Sequence, residues 1–450
     1  MKVTHASTVL ASAEFTYDWH TRDGAFERLK PPWEALQVLG ADGAFEHRSV
    51  HLKLKRFGVP IYWTSHHKDV IPGRQFVDEQ VKGPFKYWRH AHIFQPLSDD
   101  RTKLIDEIDF KLPLSPVSHL IGGGAVKKDI AKMLLYRHDT LKHDLQLQYA
   151  WPLEPQVIAI SGTSGLIGSH LVPFLTAAGH TVKRLVRKQR PDWSYELCWD
   201  PEVGILDDFS DVTMIIHLAG ESIASPLRWN DQKKNRISRS RIRSTQALVQ
   251  QLRDIPNKVT TFVCASAIGI YPSSHQIMTE NSPHGDRFLS QVVAAWEAEC
   301  DPIRDAIRVC NARFGTVLHP AGGIIQRLKP LMAMGVLGRI ADGSQYMSWV
   351  SLDDAMRAIY AMLANPSFMG PVNVVSPHAQ PQKEWIKEWA KVAFRPSIAP
   401  LPKTIVEDVM GEMGEELLLQ SQRVSPRKLN DQNFQFQCSS MTDVCRLYGL

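Results

Sequence analysis

Hydrophobic and polar positions follow two different rhythms along this chain. Through the first 150 residues, stretches such as QFVDEQ and YWRHAHIFQ alternate apolar with polar side chains, which is the period of a half-buried antiparallel strand. A helical stretch, Lys127 to His143, closes this part (KKDIAKMLLYRHDTLKH), and strands followed by a terminal helix predict an α+β domain. A linker follows at WPLEP, Trp151 to Pro155, where two prolines break regular structure. From Gln156 to about Pro377 short apolar strands alternate with helices. Val157–Ile160, Thr181–Val186, Met214–Leu218 and Thr260–Ala265 read as strands, and Ile307–Phe314 and Val372–Val375 as further ones. Arg241–Leu252 and Leu289–Glu299 read as helices between them. That rhythm predicts an α/β fold with a doubly wound parallel sheet. Beyond Pro377 helical turns lead to a Pro/Lys/Arg-rich strip, Arg423 to Lys428, and a short amphipathic stretch from Met441. The boundaries therefore fall at residues 1–152, 153–377 and 378–450.

The first strand of the second segment runs into a glycine turn, VIAISGTSGLIGSHL, with Gly162, Gly165 and Gly168 spaced G-x-x-G-x-x-G. The first glycine permits the tight turn, the second lets a pyrophosphate approach the backbone, and the third lets helix and strand pack closely. The helix behind them aims free N–H groups and a positive dipole end at phosphate. The turn residues Gly162, Thr163, Ser164, Gly165, Leu166, Ile167 and Gly168 are thus the expected dinucleotide cradle. At the exit of the next strand stands RLVRKQR, with Arg187 and Lys188 and no carboxylate. An acid there would bind the ribose 2′-hydroxyl of NAD and repel a 2′-phosphate, whereas a guanidinium binds that phosphate. The expected cofactor is NADP(H). IIHLAG places Leu218, Ala219 and Gly220 at the C-terminal end of another strand, where ligands bind in open α/β sheets. SAIGIY puts Ser266 and Tyr271 past the next one, where a hydroxyl could polarise a substrate oxygen or simply cap a helix.

Composition changes this picture little. Of the 450 residues 44% are hydrophobic and 22% charged, and the net charge of +5 is spread out. This is a globular composition, and it lends no support to a nucleic-acid partner. The six cysteines lack C-x-x-C spacing and read as buried free thiols. No apolar run approaches a membrane span, and the start, MKVTHASTVLASA, has no leucine-rich core, so a cytoplasmic protein is expected. His90 and His92 face the same side of a strand, as half of a metal site would. No third ligand stands at recognisable spacing, so they are read as satisfied structural histidines and no metal is expected. Trp19, Trp33, Trp63 and Trp88 are read as core.

Taken in order, SGTSGLIGSHL, HLAGESIASPLRWN, SRSRIRSTQAL, ASAIGIYP, AAWEAE, RFGTVLHPAGG and GSQYMSWVSLDD resemble the sugar-nucleotide epimerase group, atypical members of the extended short-chain dehydrogenase/reductase superfamily. The resemblance runs from about residue 156 to the C-terminus, where PLPKTIVEDVMGEMGEELLLQSQRVSPRKL is similar to that group's tail domain of unknown function. It implies a Rossmann sheet and NADP(H) held at the turn, at Val186 and Arg187, and at Leu218 and Ala219. It also implies cofactor contacts from Arg241 and Val317. A nucleotide sugar is the implied small-molecule substrate. Separately, DWHTRDGAFERLKPPWEAL, FVDEQVKGPFKYWRHAHIF and LIDEIDFKLPL resemble the START/polyketide-cyclase helix-grip superfamily, which implies a sheet curved around a long helix and a small hydrophobic ligand.

The superfamily's usual Tyr-x-x-x-Lys pair, in which a lysine lowers the tyrosine's pKa for acid/base work, is absent. None of the ten tyrosines has lysine four residues later, and FLSQVVAAWEAEC carries Val292 and Trp296 at the matching spacing. Ser266, Tyr271 and Glu297 remain as candidate catalytic groups. Two functions stay open: an NADP(H)-dependent epimerase or oxidoreductase with a substituted catalytic set, and a non-catalytic NADP(H)-binding sensor or scaffold.

Overall fold

A computed structural model describes residues 1–56, 58–113, 117–189 and 195–450. Within it the chain forms two compact units, Met1–Pro152 with Thr176–Gly179, and Leu153–Leu175 with His180–Leu450.

The first unit is an antiparallel sheet and a long helix. Its strands are β1 (Lys2–Val9), β2 (Leu36–Asp42), β3 (Ser49–Arg56), β4 (Val59–Ile71), β5 (Gln75–Lys82), β6 (Tyr87–Ser98) and β7 (Arg101–Lys111), in the spatial order β1-β7-β6-β5-β4-β3-β2. Two short helices, α1 (Ala13–Thr21) and α2 (Ala25–Arg28), follow β1, and α3 (Val117–Ala150) follows β7. Alternation along β7 is strict: Thr102, Leu104, Asp106, Ile108 and Phe110 are buried while their neighbours are not. The period of 2 thereby lays one face of every strand against a core. That core divides into two apolar clusters. One joins Trp88, Ile108 and Phe110 to Ile130 and Leu134 of α3. The other joins Val9, Trp19, Phe94 and Leu104 to Leu141 and Leu145 of the same helix.

The second unit is the doubly wound sheet. It contains β8 (Val157–Ser161), α4 (Leu166–Ala177), β9 (Thr181–Val186), β10 (Glu196–Asp200), β11 (Gly204–Ile205), β12 (Met214–His217), α5 (Asp231–Asp254) and β13 (Thr261–Ala267). After these come β14 (Ser274–Met278), α6 (Phe288–Ala298), β15 (Arg308–Phe314), β16 (Thr316–Leu318), α7 (Gly323–Ala333), β17 (Tyr346–Met347), β18 (Trp349–Ser351), α8 (Leu352–Ala364) and β19 (Gly370–Val374). The main sheet runs β11-β10-β9-β8-β12-β13-β15-β19, and every pair in it is parallel except β10–β11. Strand order reverses beside β8, so β8 and β12 flank the switch point at which such sheets bind ligands. The strands are short and almost wholly apolar because helices cover both faces. α8 is buried on nearly all sides, its charged Asp353, Asp354 and Arg357 included.

The C-terminal residues belong to this same compact unit. Buried Asp354, capped by Ser351, accepts the backbone N–H groups of Gln437 (2.8 Å) and Cys438 (3.0 Å). Tyr448 donates its hydroxyl to Asp353 at 2.8 Å. Among the described residues no helix is long and apolar enough to cross a membrane.

Candidate functional site

The three glycines of the turn do three different things. Gly162 sits at φ +73°, and a Cβ there would lie 2.7 Å from the carbonyl carbon of Leu218, so the position demands glycine for both conformation and space. At Gly168 a Cβ would drive into the backbone of Gly162 and Thr163, 2.8 Å from the Thr163 Cα, because α4 starts hard against β8. At Gly165 a Cβ would meet only the Gly162 carbonyl oxygen, at 3.2 Å. Its outer side is otherwise open, which fits a diphosphate lying on the backbone. The first N–H groups of α4 have no partner inside the helix and face the same way.

The loop after β12 is fastened to this turn by one serine. Ser161 accepts the N–H groups of Leu218 (3.1 Å) and Ala219 (3.3 Å) and donates its own proton to His217 Nδ1 (2.7 Å). His217 Nε2 then donates to Ser244 (3.1 Å), whose proton goes to the Ser240 carbonyl (2.7 Å). The bonds fix His217 as the neutral Nε2–H tautomer, and burial pulls its pKa down to about 3. Leu218, Ala219 and Gly220 are thereby held beside Gly162.

Arg241 of α5 reaches this loop. It donates to the carbonyls of Glu221 (3.1 Å) and Ile237 (3.0 Å), and a Cβ on Gly220 would stand 3.3 Å from its guanidinium carbon. Its charge lies over the Trp296 ring, 5.4 Å from the centroid, and burial lowers its pKa to about 10. Val317 approaches from the other side. Gly323, at φ +63°, turns the chain back beneath the Val317 carbonyl, and Gly322 packs on the Leu166 side chain. Thr163 receives a hydrogen bond from Arg184 Nε at 3.3 Å. At the end of β9, Val186 is half-buried and Arg187 and Lys188 are exposed; Arg190 of the same basic run lies outside the described residues.

One step along the sheet, the three candidate catalytic residues fall into a single buried network. Ser266 donates to Glu297 Oε1 at 2.5 Å. Arg313 grips both oxygens of Glu297, Nε to Oε1 at 2.8 Å and Nη2 to Oε2 at 2.7 Å, and donates through Nη1 to the Tyr271 hydroxyl at 2.8 Å. Tyr271 in turn donates to Asn373 Oδ1 at 2.7 Å. Ser266, Arg313 and Asn373 are side-by-side register partners on β13, β15 and β19. Sequence reading missed Arg313 and Asn373; polar residues closing the apolar strands NARF and PVNV were the available sign. Burial opposes the charge on Arg313, but the ion pair with Glu297 outweighs it and holds the pKa above the ordinary value. Burial raises that of Tyr271. Tyr271 is only 2% exposed and its proton is already committed, whereas the Glu297 side chain keeps 12%.

The positions at Tyr-x-x-x-Lys spacing hold no acid or base. Val292 packs in an apolar cluster with Trp229, Ile237, Leu289 and Met413. Trp296 donates its ring N–H to Thr245 Oγ1 at 2.8 Å.

In the first unit, His90 and His92 stand among carboxylates. Both are buried: His90 Nε2 and His92 Nδ1 lie 3.1 and 2.6 Å from Asp106 Oδ1, and His92 Nε2 is hydrogen-bonded to Asp78 Oδ2 at 3.2 Å. The strand pairing Asp78↔His90 brings a third donor across from β5, a neighbour that no spacing in the sequence displays.

Three stretches of the chain resemble known families. Residues 158–375 match the NAD dependent epimerase/dehydratase family, residues 401–446 a domain of unknown function, and residues 9–135 the polyketide cyclase/dehydrase and lipid transport family. An epimerase family protein of Mycobacterium bovis is 39% identical over 292 residues, which cover 64% of this chain and 96% of that one. A nucleoside-diphosphate sugar epimerase from Corynebacterium glutamicum is similar over 99% of this chain and 90% of its own, with 28% identity and a TM-score of 0.79. The human epimerase family protein SDR39U1, solved with NADPH, covers 65% of this chain and 98% of its own at 28% identity and a TM-score of 0.60. With the glycine cradle and the epimerase match falling on the same sheet, the chain belongs to the NAD dependent epimerase/dehydratase family.

Proposed function

We propose that the parallel-sheet unit is an NADP(H)-dependent epimerase or oxidoreductase acting on a nucleotide sugar, with Ser266 and Glu297 in place of the tyrosine–lysine pair. The observation that carries it is the Ser266–Glu297 hydrogen bond, formed at the sheet edge that also bears the glycine turn and the Leu218–Gly220 loop. When bound, NADP(H) supplies the acceptor and donor of hydride. The chain handles the proton. A substrate hydroxyl placed at Ser266 passes its proton to the serine oxygen as the serine's own proton moves to Glu297. Arg313, bonded to both oxygens of Glu297, holds that carboxylate toward Ser266, and the reverse transfer completes the cycle. Arg241, over Trp296, supplies a cation beside the Leu218–Gly220 loop where the lysine is missing.

The preference for NADP(H) over NAD(H) rests on exposed Arg187 and Lys188 and on the absence of an acid at the β9 exit. The human relative solved with NADPH supports it. Titration followed by tryptophan fluorescence should show NADPH binding at least about tenfold tighter than NADH, the worth of one charge-assisted hydrogen bond. Arg187→Ala should narrow the gap. Equal binding of NADH would overturn the preference.

A second reading, an NADP(H)-responsive sensor or scaffold coupled to a hydrophobic ligand of the first unit, is favoured by the commitment of the Tyr271 hydroxyl to buried partners and by the apolar setting of Val292. Stereospecifically deuterated NADPH, incubated with a panel of nucleotide sugars, separates the two. Loss of label or epimerisation that is abolished in Ser266→Ala and Glu297→Gln supports turnover. Retention of label with every sugar supports the sensor.

A further inference from the structure

The inner face of the antiparallel sheet carries a polar layer between its two apolar clusters. Along β6 the inward series is Trp88, His90, His92, Phe94, and along β7 it is Leu104, Asp106, Ile108. The apolar members belong to the clusters above and below, and the middle members do not. Opposite them α3 presents His138 between Leu134 and Leu141, and β5 contributes Asp78.

The contacts in this layer are close and incompletely bonded. His138 Nε2 donates to Asp106 Oδ2 at 2.9 Å, which accounts for that oxygen. The other oxygen, Oδ1, lies 3.1 Å from His90 Nε2 and 2.6 Å from His92 Nδ1, yet none of these three buried atoms has a hydrogen bond of acceptable direction. A proton shared between nitrogen and oxygen demands a nearly linear arrangement. Asp78 adds to the cluster, its Oδ2 lying 3.2 Å from His92 Nε2 and its Oδ1 3.2 Å from His67 Nε2. Donor atoms of Asp78, His90 and His92 also lie within 4.8 Å of one another. Ligands about 2.0–2.2 Å from an ion stand roughly 3–4 Å apart, so a small rotation of these side chains closes the set. Charge argues the same way. Two carboxylates in this layer face imidazoles, and among the described residues the ion-pair partners of Asp106 are His90, His92 and His138. Buried carboxylates are costly without compensating positive charge.

We propose that Asp78, His90 and His92, with Asp106 beside both imidazoles as a further donor, form a site for a divalent transition-metal ion inside the antiparallel unit. Imidazole with carboxylate is the donor mixture of zinc, iron(II) and manganese(II) rather than of calcium or magnesium. His138, bonded to Asp106, is the outer residue that orients this carboxylate. Asp78 is the one ligand with appreciable exposure, 25% of its side chain, and marks the side from which an ion enters. The site is independent of the nucleotide reading of the other unit.

The test is a cobalt(II) titration of the full chain after removal of bound metal with a chelator. Expected is a saturable ligand-field absorption band at one Co²⁺ per chain, removed by an equivalent of Zn²⁺. His90→Asn and Asp78→Asn should lose the band while the same preparations still bind NADPH, and His138→Asn should weaken Co²⁺ by about 10- to 100-fold. A wild-type protein that shows no saturable band, or a band that survives unchanged in both ligand variants, overturns the proposal. The wild-type measurement decides even where a variant fails to fold.

Discussion

The two sheets of this protein place their polar residues in opposite ways. In the parallel sheet β8, β12 and β13 are apolar through mid-strand and turn polar at the C-terminal end, where Ser161, His217 and Ser266 stand; β15 places Arg313 there too, and also buries Asn311 in mid-strand. In the antiparallel sheet the polar groups sit in mid-strand, with Trp88 and Phe94 on either side of His90 and His92. The reason is geometric. A parallel strand covered by helices on both faces reaches solvent only at its ends, and a mid-strand polar residue such as Asn311 is bonded from within, here by Arg304 at 2.7 Å. An antiparallel strand wrapped on a helix has an inner face, and a polar residue there is enclosed unless its neighbours satisfy it. Chemistry at a strand end can meet solvent and a ligand, whereas chemistry in mid-strand must be completed from within.

Two buried arginine–carboxylate pairs make that contrast measurable. Arg28 of α2 and Asp144 of α3 bond at 2.7 and 2.9 Å, with side chains 4% and 0% exposed. Arg313 and Glu297 are 3% and 12% exposed. Arg28→Ala removes the guanidinium bonded to both Asp144 oxygens and should cost about 3–5 kcal/mol in urea unfolding. Glu297→Gln keeps an acceptor for Arg313 beside partial solvent and should cost only about 1–3 kcal/mol. Equal costs for the two would break the contrast between enclosed and edge-placed charge.

A smaller effect comes from pH. His217 stays neutral in the folded protein down to about pH 3, whereas its ordinary pKa is 6.5. Between those values the unfolded chain binds a proton that the folded chain does not. Stability from this residue is therefore complete above pH 6.5 and falls as the pH drops toward 3, by at most about 1.4 kcal/mol per pH unit. The acid-side slope of denaturation midpoints should be shallower in His217→Asn by up to that amount. An unchanged slope would mean that the strand-end imidazole takes up its proton in the folded state, and that the Ser161–His217–Ser244 chain is looser than its distances show.

The glycine turn was legible in the sequence because its parts are local. Gly162, Gly165 and Gly168 lie within seven residues between a strand and a helix, and their separate roles reappear in the positive φ of Gly162 and the close approach at Gly168. Leu218–Gly220 was legible for a similar reason, following directly on the C-terminal end of an apolar run. Ser266, Tyr271 and Glu297 were found one by one, but their connection was not. Arg313 joins them through register with Ser266, forty-seven residues earlier in the chain. The absence of Tyr-x-x-x-Lys was likewise readable, while the apolar packing of Val292 against Met413 was not.

What the sequence alone determined is the alternation of apolar and polar positions, and with it two kinds of sheet, a glycine turn at the head of the second, and the basic exit of β9. These follow from backbone sterics and from periods of two to four residues, which operate between near neighbours. Only the tertiary structure decided which polar side chains meet. Asp78 reaches His92, Asp106 reaches His138, and Arg313 reaches Glu297 and Tyr271 through strand register and helix packing. Such pairings are selected by burial of the whole sheet rather than by any local preference of the residues that make them.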